Sequence, residues 1–281
     1  MSEAEALLAR VGQAYAPLLA RVEGWAAAHG PRLIVGVCGS QGSGKSTVCA
    51  ALAAALGERG FRIAVVSLDD LYLTRAARED LARRVHPLFA TRGPPGTHDT
   101  ALGEAVLDGL RGPGRTLIPR FDKGRDDRRP QAEWTRFDGP ADVVLFEGWC
   151  VGARPQPPEA LIPPVNALER LEDPGGLWRG AVDAALAGPY RRLFARLDKL
   201  VLLQAPGFEA VAGWRGEQEA KLRFRSNAAA ALAPELIGRF VAHYERLTRW
   251  ILEEMPGRAD LTIALDGERR PLWPASADER E

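Results

Sequence analysis

One run of eight residues constrains this chain more than any other feature of its sequence. Residues 39–46 read G-S-Q-G-S-G-K-S and match the pattern G-x-x-x-x-G-K-[ST]. A strand-like apolar run (residues 32–38) precedes the match, and a helical pattern (residues 45–58) follows it. Glycines allow backbone N–H groups to turn inward around an anion, and the helix N-terminus adds a partial positive charge. The sequence therefore predicts a P-loop that binds a nucleoside triphosphate.

The last polar side chains of the loop indicate how the phosphates are held. Lys45 is expected to contact the β- and γ-phosphates, and the Ser46 hydroxyl is expected to ligate Mg²⁺. GTPases usually carry a guanine-reading N-K-x-D motif, and the nearest match, F-D-K-G at residues 121–124, lacks it. The sequence therefore favours ATP with Mg²⁺. The predicted nucleotide-binding residues are Gly39, Ser40, Gln41, Gly42, Ser43, Gly44, Lys45, Ser46 and Thr47.

The alternation of strand-like and helix-like segments predicts the fold class. Continuously apolar runs rich in β-branched residues occupy residues 32–38, 62–67, 142–146, 199–204 and 260–265. Helical patterns occupy residues 45–58, 101–110, 177–197 and 234–254. Strands without polar alternation are typical of parallel sheets that are covered on both faces. We therefore predict an α/β fold, with a P-loop NTPase-type parallel sheet, helices on both faces and a helical lid.

Charge and composition exclude several classes of partner. Lysine and arginine together number 37, as do aspartate and glutamate, so no net field attracts nucleic acid or an anionic membrane. The three cysteines are too few and too scattered for a disulfide framework or a zinc site. The chain lacks an apolar run of about 18 residues, and its N-terminus lacks the pattern of a signal peptide. We expect a reduced, cytoplasmic protein with a small-molecule partner; the oligomeric state stays open.

Acidic residues follow two of the predicted strands. Asp69 and Asp70 come after the second strand, and Glu147 closes the third. Because ligands bind beyond the carboxyl ends of parallel strands, these acids are expected near the phosphates. We expect Asp69, or else Asp70, to accept a proton from an attacking hydroxyl, and Glu147 to act as the Walker B carboxylate. Ser46, Asp69 and Glu147 are the candidate metal ligands.

Several further motifs, in order, resemble one family of small-molecule kinases. They read D-D-L-Y-L-T at residues 69–74, R-G with G-T-H-D within residues 92–99, I-P-R-F-D-K at residues 118–123 and V-L-F-E-G-W at residues 144–149. Together they resemble the plant-type D-glycerate 3-kinases, which belong to the phosphoribulokinase and uridine-kinase group of P-loop kinases. The resemblance implies transfer of the ATP γ-phosphate to the 3-hydroxyl of D-glycerate, with the acid of the D-D-x-Y motif as the base.

The resemblance also implies a substrate pocket and a lid. A carboxylate substrate requires cations and hydrogen-bond donors, and Arg120 and Lys123 are the first candidates. The lid is expected over residues 207–226, where Arg215 and Arg223 lie two turns apart on one helix face and would close on the nucleotide. The predicted catalytic residues are Asp69, Lys45, Glu147, Arg215 and Arg223. The predicted substrate-binding residues are Asp70, Tyr72, Arg92, His98, Asp99, Arg120 and Lys123.

Domain organisation follows from the same patterns. Apolar residues at helical spacing predict an N-terminal helix in residues 1–30 that packs on the core. Residues 31–270 are expected to form a single P-loop kinase domain, and residues 271–281 a loosely attached tail. Residues 111–140 and 152–176 are rich in Pro, Gly or Arg and are expected to form long loops.

Two other functions remain open at this point. The chain could be a P-loop kinase of another small acceptor, such as pantothenate or a nucleoside. It could also be a P-loop ATPase that works as a switch with a macromolecular partner. Acceptor-dependent consumption of ATP separates the kinases from the switch, because a switch hydrolyses ATP without a small acceptor.

Overall fold

A computed structural model describes residues 3–30, 32–225 and 234–273 of the chain. Its strands include the five predicted ones, and the remaining strands are short. In chain order they are β1 (Leu33–Gly39), β2 (Ile63–Ser67), β3 (Arg115–Ile118), β4 (Phe121–Asp122), β5 (Asp127–Arg128), β6 (Thr135–Asp138), β7 (Val143–Gly148), β8 (Lys199–Gln204), β9 (Leu261–Leu265) and β10 (Pro271–Leu272).

The main sheet confirms the predicted fold class. Its strand order is β10-β9-β8-β1-β7-β2, and all neighbours are parallel except β10, which runs antiparallel to β9. Val37 of β1 and Ser67 of β2 both lie in register with Glu147 of β7. This register places the carboxyl ends of β1, β2 and β7 together at one end of the sheet.

Helices cover both faces of this sheet. In chain order they are α1 (Glu3–Ala14), α2 (Ala16–His29), α3 (Lys45–Glu58), α4 (Arg75–Arg84), α5 (Thr100–Arg111), α6 (Ala167–Glu172), α7 (Leu177–Ala185), α8 (Arg191–Phe194), α9 (Phe208–Arg225) and α10 (Pro234–Glu254). Successive residues of β1 point to opposite faces: Ile34 belongs to a core with α5, whereas Val35 belongs to a core with α2 and α3. Burial on both faces explains why the strands are continuously apolar.

Two predicted helices have wrong boundaries, and one further helix was not predicted. The single N-terminal helix is two helices, which divide at Tyr15, because Pro17 lacks an N–H and is accommodated only in the first turn of α2. The helix predicted over residues 177–197 is interrupted by a π-helical turn (Leu186–Tyr190), which contains Pro189, and α8 ends at Phe194. Residues 75–84, which carry no marked apolar periodicity, form α4.

The predicted loops and tail also hold more structure than expected. Residues 111–140 contain two antiparallel pairs, β3 with β6 and β4 with β5. Residues 152–176 are mostly irregular and include α6. The first residues of the tail are attached, since β10 pairs with β9 and Trp273 Nε1 donates to the Ala14 carbonyl at 2.9 Å. Within the described ranges, no helix has the length and apolar content to cross a membrane.

Candidate active site

The P-loop joins β1 to α3 in the expected conformation. Gly42 and Gly44 have φ angles of +81° and +86°, which side chains with a Cβ rarely adopt. Ser43 N donates to the Ser40 carbonyl at 3.2 Å, and α3 begins directly after Gly44, at Lys45. The hydroxyl groups of Ser40 and Ser43 are buried and have no hydrogen-bond partner among the described residues. A helix N-terminus with spare donors is suited to a phosphate.

The Walker B candidate contacts the P-loop directly. Ser46 Oγ donates to Glu147 Oε1 at 2.9 Å, and Lys45 Nζ lies 4.0 Å from Glu147 Oε2. The glutamate is buried, and its Oε2 accepts no hydrogen bond from the described residues. The described residues hold no group of three His, Cys, Asp or Glu side chains that could bind a metal without other ligands. A hydroxyl beside one carboxylate nevertheless fits Mg²⁺, which takes its remaining ligands from phosphates and water.

Asp69 lies just beyond β2 and has two side-chain partners. Lys123 Nζ donates to Oδ2 at 2.6 Å, and Tyr72 OH donates to Oδ1 at 2.9 Å. Burial by itself would raise the pKa of Asp69, but the charges of Lys123 and Lys45 and the hydrogen bond from Lys123 hold it well below its usual range. The Asp69 carboxylate is therefore ionised at neutral pH, and its side chain is 27% exposed, within reach of a small molecule.

Asp70 faces a different set of groups. Arg120 Nη1 donates to Oδ2 at 2.8 Å, and the backbone N–H of Phe121 donates to Oδ1 at 2.9 Å. Both oxygens are thus occupied by the segment that carries Lys123. Asp70 holds that segment beside Asp69, and Arg120, predicted to bind substrate, is its ion-pair partner.

The side chains of His98 and Tyr72 lie next to Asp69. Their rings stack at 4.4 Å, and their backbones form an isolated β-bridge. Burial lowers the pKa of His98 to about 3, so the ring is neutral. The Tyr190 hydroxyl accepts from Gly96 N at 3.0 Å and from His98 N at 3.3 Å, and it lies 2.5 Å from His98 Nδ1. No sequence signal pointed to Tyr190, which lies in the π-helical turn.

Two other predicted substrate residues have structural partners. Arg92 forms an ion pair with Asp126. Asp99 accepts from Leu102 N at 3.0 Å as the N-cap of α5, and Arg128 Nη2 donates to its other oxygen at 3.2 Å. A side chain that satisfies a helix end or a neighbouring carboxylate is less available to a ligand. These pairings favour a structural over a direct binding role for Arg92 and Asp99.

The predicted lid corresponds to α9, which follows β8 after a short connection at residues 205–207. The Arg215 guanidinium lies 4.9 Å from the centre of the Phe240 ring of α10. The side chain of Arg223 lies outside the described residues, since side chains of α9 are described only as far as Glu217.

An unpredicted cluster joins the root of α9 to the P-loop. The Cβ that an L residue would carry at Gly42 would lie 2.6 Å from the Cβ of Trp214. Trp214 Nε1 donates to the Gly267 carbonyl at 2.8 Å, and the Arg269 guanidinium lies 5.3 Å from the Trp214 ring centre. Arg269 Nε donates to the Gly42 carbonyl at 2.8 Å, and its Nη2 donates to Glu217 at 2.5 Å. No local sequence pattern indicated that Trp214 or Arg269 would contact Gly42.

Comparison with known proteins finds relatives along most of the chain. The chain is 32% identical over 259 residues to the uncharacterized kinase mug58 of Schizosaccharomyces pombe, covering 87% of this chain and 91% of that protein. It is 29% identical over 265 residues to the chloroplastic D-glycerate 3-kinase of Arabidopsis thaliana. That match covers 86% of this chain and 54% of the Arabidopsis protein, so the chain spans about half of that relative's length.

A solved structure and a family model also match. The structure of D-glycerate 3-kinase from Cryptococcus neoformans superposes with a TM-score of 0.72 at 25% identity, covering 95% of this chain and 98% of that one. The family model described as methylmalonyl Co-A mutase-associated GTPase MeaB matches residues 4–72. This shorter match includes the P-loop and β2 and ends before β7.

Proposed function

We propose that this chain, which belongs to the P-loop kinase family that includes mug58 of fission yeast, transfers the γ-phosphate of ATP to the 3-hydroxyl of D-glycerate. Two of its relatives are named D-glycerate 3-kinases, one from Arabidopsis and one from Cryptococcus. Their names support the acceptor, and the residues around Asp69 support the reaction.

One observation carries the proposal: an ionised, partly exposed carboxylate lies at the same sheet edge as the P-loop. Ser67, the last residue of β2, is in register with Glu147, whose carboxylate accepts from Ser46 of the P-loop at 2.9 Å. Asp69 follows Ser67 by two residues and senses the charge of Lys45. An acceptor hydroxyl bound to Asp69 is thus close to the phosphates that Lys45 would hold.

In the proposed mechanism, Asp69 orients the 3-hydroxyl of the acceptor and takes its proton as the oxygen attacks the γ-phosphorus. The bond between the γ-phosphorus and the β–γ bridging oxygen of ATP breaks in the same transfer, and ADP leaves. Tyr72 donates to one oxygen of Asp69 and Lys123 to the other, so that the carboxylate is held in place. The low pKa of Asp69 makes it a weak base. Its main contributions are therefore orientation of the hydroxyl and acceptance of the proton late in the transfer.

The P-loop supplies the phosphate contacts. Lys45 and the backbone N–H groups of residues 39–47 hold the β- and γ-phosphates, and Ser46 and Glu147 would hold Mg²⁺. The ion, when bound, neutralises phosphate charge. Arg215 and Arg223 are proposed to add positive charge from α9 when the nucleotide is bound. The N-K-x-D motif is absent, which favours ATP over GTP.

The acceptor carboxylate requires a cation that structural pairs have not already used. Lys123 contacts Asp69 through one hydrogen bond and is 61% exposed, so it retains donors for a ligand. The exposed side chain of Arg125, two residues on, has no ion-pair partner within the described part of the chain. We propose that Lys123 and Arg125 bind the glycerate carboxylate, and that His98, whose buried Nε2 has no hydrogen-bond partner among the described residues, is a further contact.

The test is ADP release by the purified protein with ATP and Mg²⁺, in the presence and absence of D-glycerate. L-glycerate, pantothenate and uridine serve as comparison acceptors, and GTP replaces ATP in a parallel series. Release that requires both ATP and D-glycerate supports the proposal. Release with another acceptor retains the kinase reaction and overturns the substrate, whereas full release without any acceptor supports an ATPase switch.

The remaining proposals concern organisation. We propose that residues 31–270 form the single kinase domain, with residues 1–30 packed on it and with the lid over residues 207–226. The protein is proposed to act in the cytoplasm on a small hydroxy acid. Neither a nucleoside acceptor nor a macromolecular switch is favoured by any contact described above.

A further inference from the structure

A cavity distinct from the P-loop lies at the opposite end of the main sheet, where β8 and β9 begin. Its volume is about 520 Å³, within the range of small-molecule sites. It is lined by Lys199 and Asp260, which stand at the amino ends of β8 and β9, whereas the P-loop follows the carboxyl end of β1. Because these strands are parallel and β8 has six residues, the two sites are separated by about 16 Å of sheet.

The walls of this cavity are largely apolar and well held. Phe194, Leu197 and Leu200 line it on the side of α8 and β8. The segment that follows β7 forms another wall, where Gly152 has a φ of +77° and a Cβ at its position would lie 2.9 Å from Leu200 Cδ1. Arg258 Nη2 donates to the Gly152 carbonyl at 2.7 Å and fixes this wall. Such walls accommodate an apolar or aromatic body.

Among the charged residues that line the cavity, four have an ion-pair partner and two arginines do not, in the described ranges of the chain. Lys199 pairs with Asp260 at 2.7 Å, Arg258 pairs with Glu254 at 2.6 Å, and Asp198 pairs with Arg111. The two remaining charged residues of the lining are Arg154 and Arg191, and both are exposed. Neither side chain has a hydrogen-bond or ion-pair partner in the described ranges of the chain.

The cavity also borders an irregular helix. Leu186 and Ala187, which line it, are the first two residues of the π-helical turn. Turns of this kind are rare and occur frequently at functional sites. Tyr190, the last residue of the same turn, carries the hydroxyl that contacts His98 near Asp69.

We propose that this cavity binds a small organic dianion, whose apolar body lies against Phe194, Leu197 and Leu200 and whose charged group contacts Arg154 and Arg191. A phosphate monoester and a dicarboxylate share the required chemistry, because an arginine guanidinium grips either group through two parallel hydrogen bonds. The site is distinct from the P-loop and is independent of the proposed kinase reaction.

The test is a calorimetric titration of the full-length protein with naphthyl phosphate, with naphthalene dicarboxylate and with neutral naphthol. The site variant is Arg154→Gln/Arg191→Gln, and the matched control is Arg192→Gln, an exposed neighbour that does not line the cavity. A third variant, Lys45→Ala, weakens phosphate binding at the P-loop. Thermal unfolding of each variant checks the fold.

We expect at least one of the two dianions to bind, and its affinity to fall by about tenfold or more in the double variant, since two charge-assisted contacts are lost. The affinity should be unchanged in Arg192→Gln and in Lys45→Ala. The stronger of the two dianions identifies the charged group that the site prefers. Equal affinity in the double variant, loss of binding in Lys45→Ala, or naphthol binding as tightly as the dianions would overturn the proposal, as would no binding of either dianion.

Discussion

Arg269 and Gly42 are separated by 227 positions in the chain, yet Arg269 Nε donates to the Gly42 carbonyl at 2.8 Å. The same guanidinium lies over the Trp214 ring and pairs with Glu217 of α9. One side chain beyond β9 thus contacts both the P-loop and the root of the proposed lid. The conformation of the phosphate loop therefore depends on a residue close to the C-terminus.

Replacing this arginine is expected to weaken nucleotide binding. Arg269→Ala removes a charge-assisted hydrogen bond, which contributes roughly 1.5–3 kcal/mol, and leaves the P-loop less ordered. We expect the KM for ATP to rise by about tenfold or more, with a smaller change in kcat. Steady-state kinetics with varied ATP measure the effect. Arg270→Ala is the matched control, since Arg270 is exposed and its side chain, among the described residues, pairs only with Asp266. An equal effect of Arg270→Ala would contradict the prediction.

The two neighbouring aspartates should respond differently to the same substitution. Asp69→Asn removes the carboxylate that would orient the acceptor, and kcat should fall by about a hundredfold or more with little change in thermal stability. Asp70→Asn weakens the contacts with Arg120 and Phe121 N and should mainly lower the melting temperature. Measurements of kcat and melting temperature on both variants decide which aspartate is the base. The reverse pattern would make Asp70 the base.

The dependence of activity on pH follows from the environment of Asp69. The pKa of Asp69 is lower in the folded protein than in the unfolded chain, so its ionised carboxylate stabilises the fold at every pH above the unfolded-state pKa. This stabilisation is lost only as the pH falls through the pKa that Asp69 has in the folded protein. His98, with a pKa of about 3, is neutral in the same range. Between about pH 5 and pH 9, neither group should therefore produce an acid limb in kcat/KM.

Removing Lys123 should change that profile. Burial acts to raise the pKa of Asp69, and in Lys123→Met it is opposed chiefly by the charge of Lys45. We expect the fall of kcat/KM towards low pH to occur at a higher pH in this variant, because the pKa of Asp69 is raised. The KM for the acceptor should also rise. Lys199→Met, which removes a lysine distant from the site, is the control. A rise in KM without any shift of the limb would show that Lys123 does not set the pKa of Asp69.

A glycine beside the site should tolerate no side chain. A Cβ at Gly93 would lie 1.9 Å from the Tyr244 hydroxyl oxygen, and its φ of +130° disfavours other residues. Gly93→Ala should reduce the free energy of unfolding by about 3 kcal/mol. Gly114→Ala, whose added Cβ would have no neighbour within 4 Å, is the control for denaturant unfolding. Equal stability of the two variants would contradict this packing.

Local patterns predicted the elements that carry the site. The P-loop, the five main strands and the acids at positions 69 and 147 are recognisable because each depends on a few adjacent residues. Parallel strands also end at one end of the sheet, so the placement of Asp69 and Glu147 at that end followed from the fold class. The short pairs β3–β6 and β4–β5 escaped prediction because sequences rich in Arg, Gly and Pro lack a period-two apolar pattern.

The partners of the charged residues were decided by the tertiary structure alone. Nothing in the dipeptide at positions 69–70 indicates that Lys123 pairs with one carboxylate and Arg120 with the other. Similarly, Arg269 resembles any other arginine of an arginine-rich chain until packing brings it to Gly42. Residue type and spacing determined which chemical groups this protein has and at which end of the sheet they lie. Long-range packing determined which groups are already paired and which remain for a ligand, because hydrogen bonds and ion pairs depend on distances of a few ångströms between distant segments.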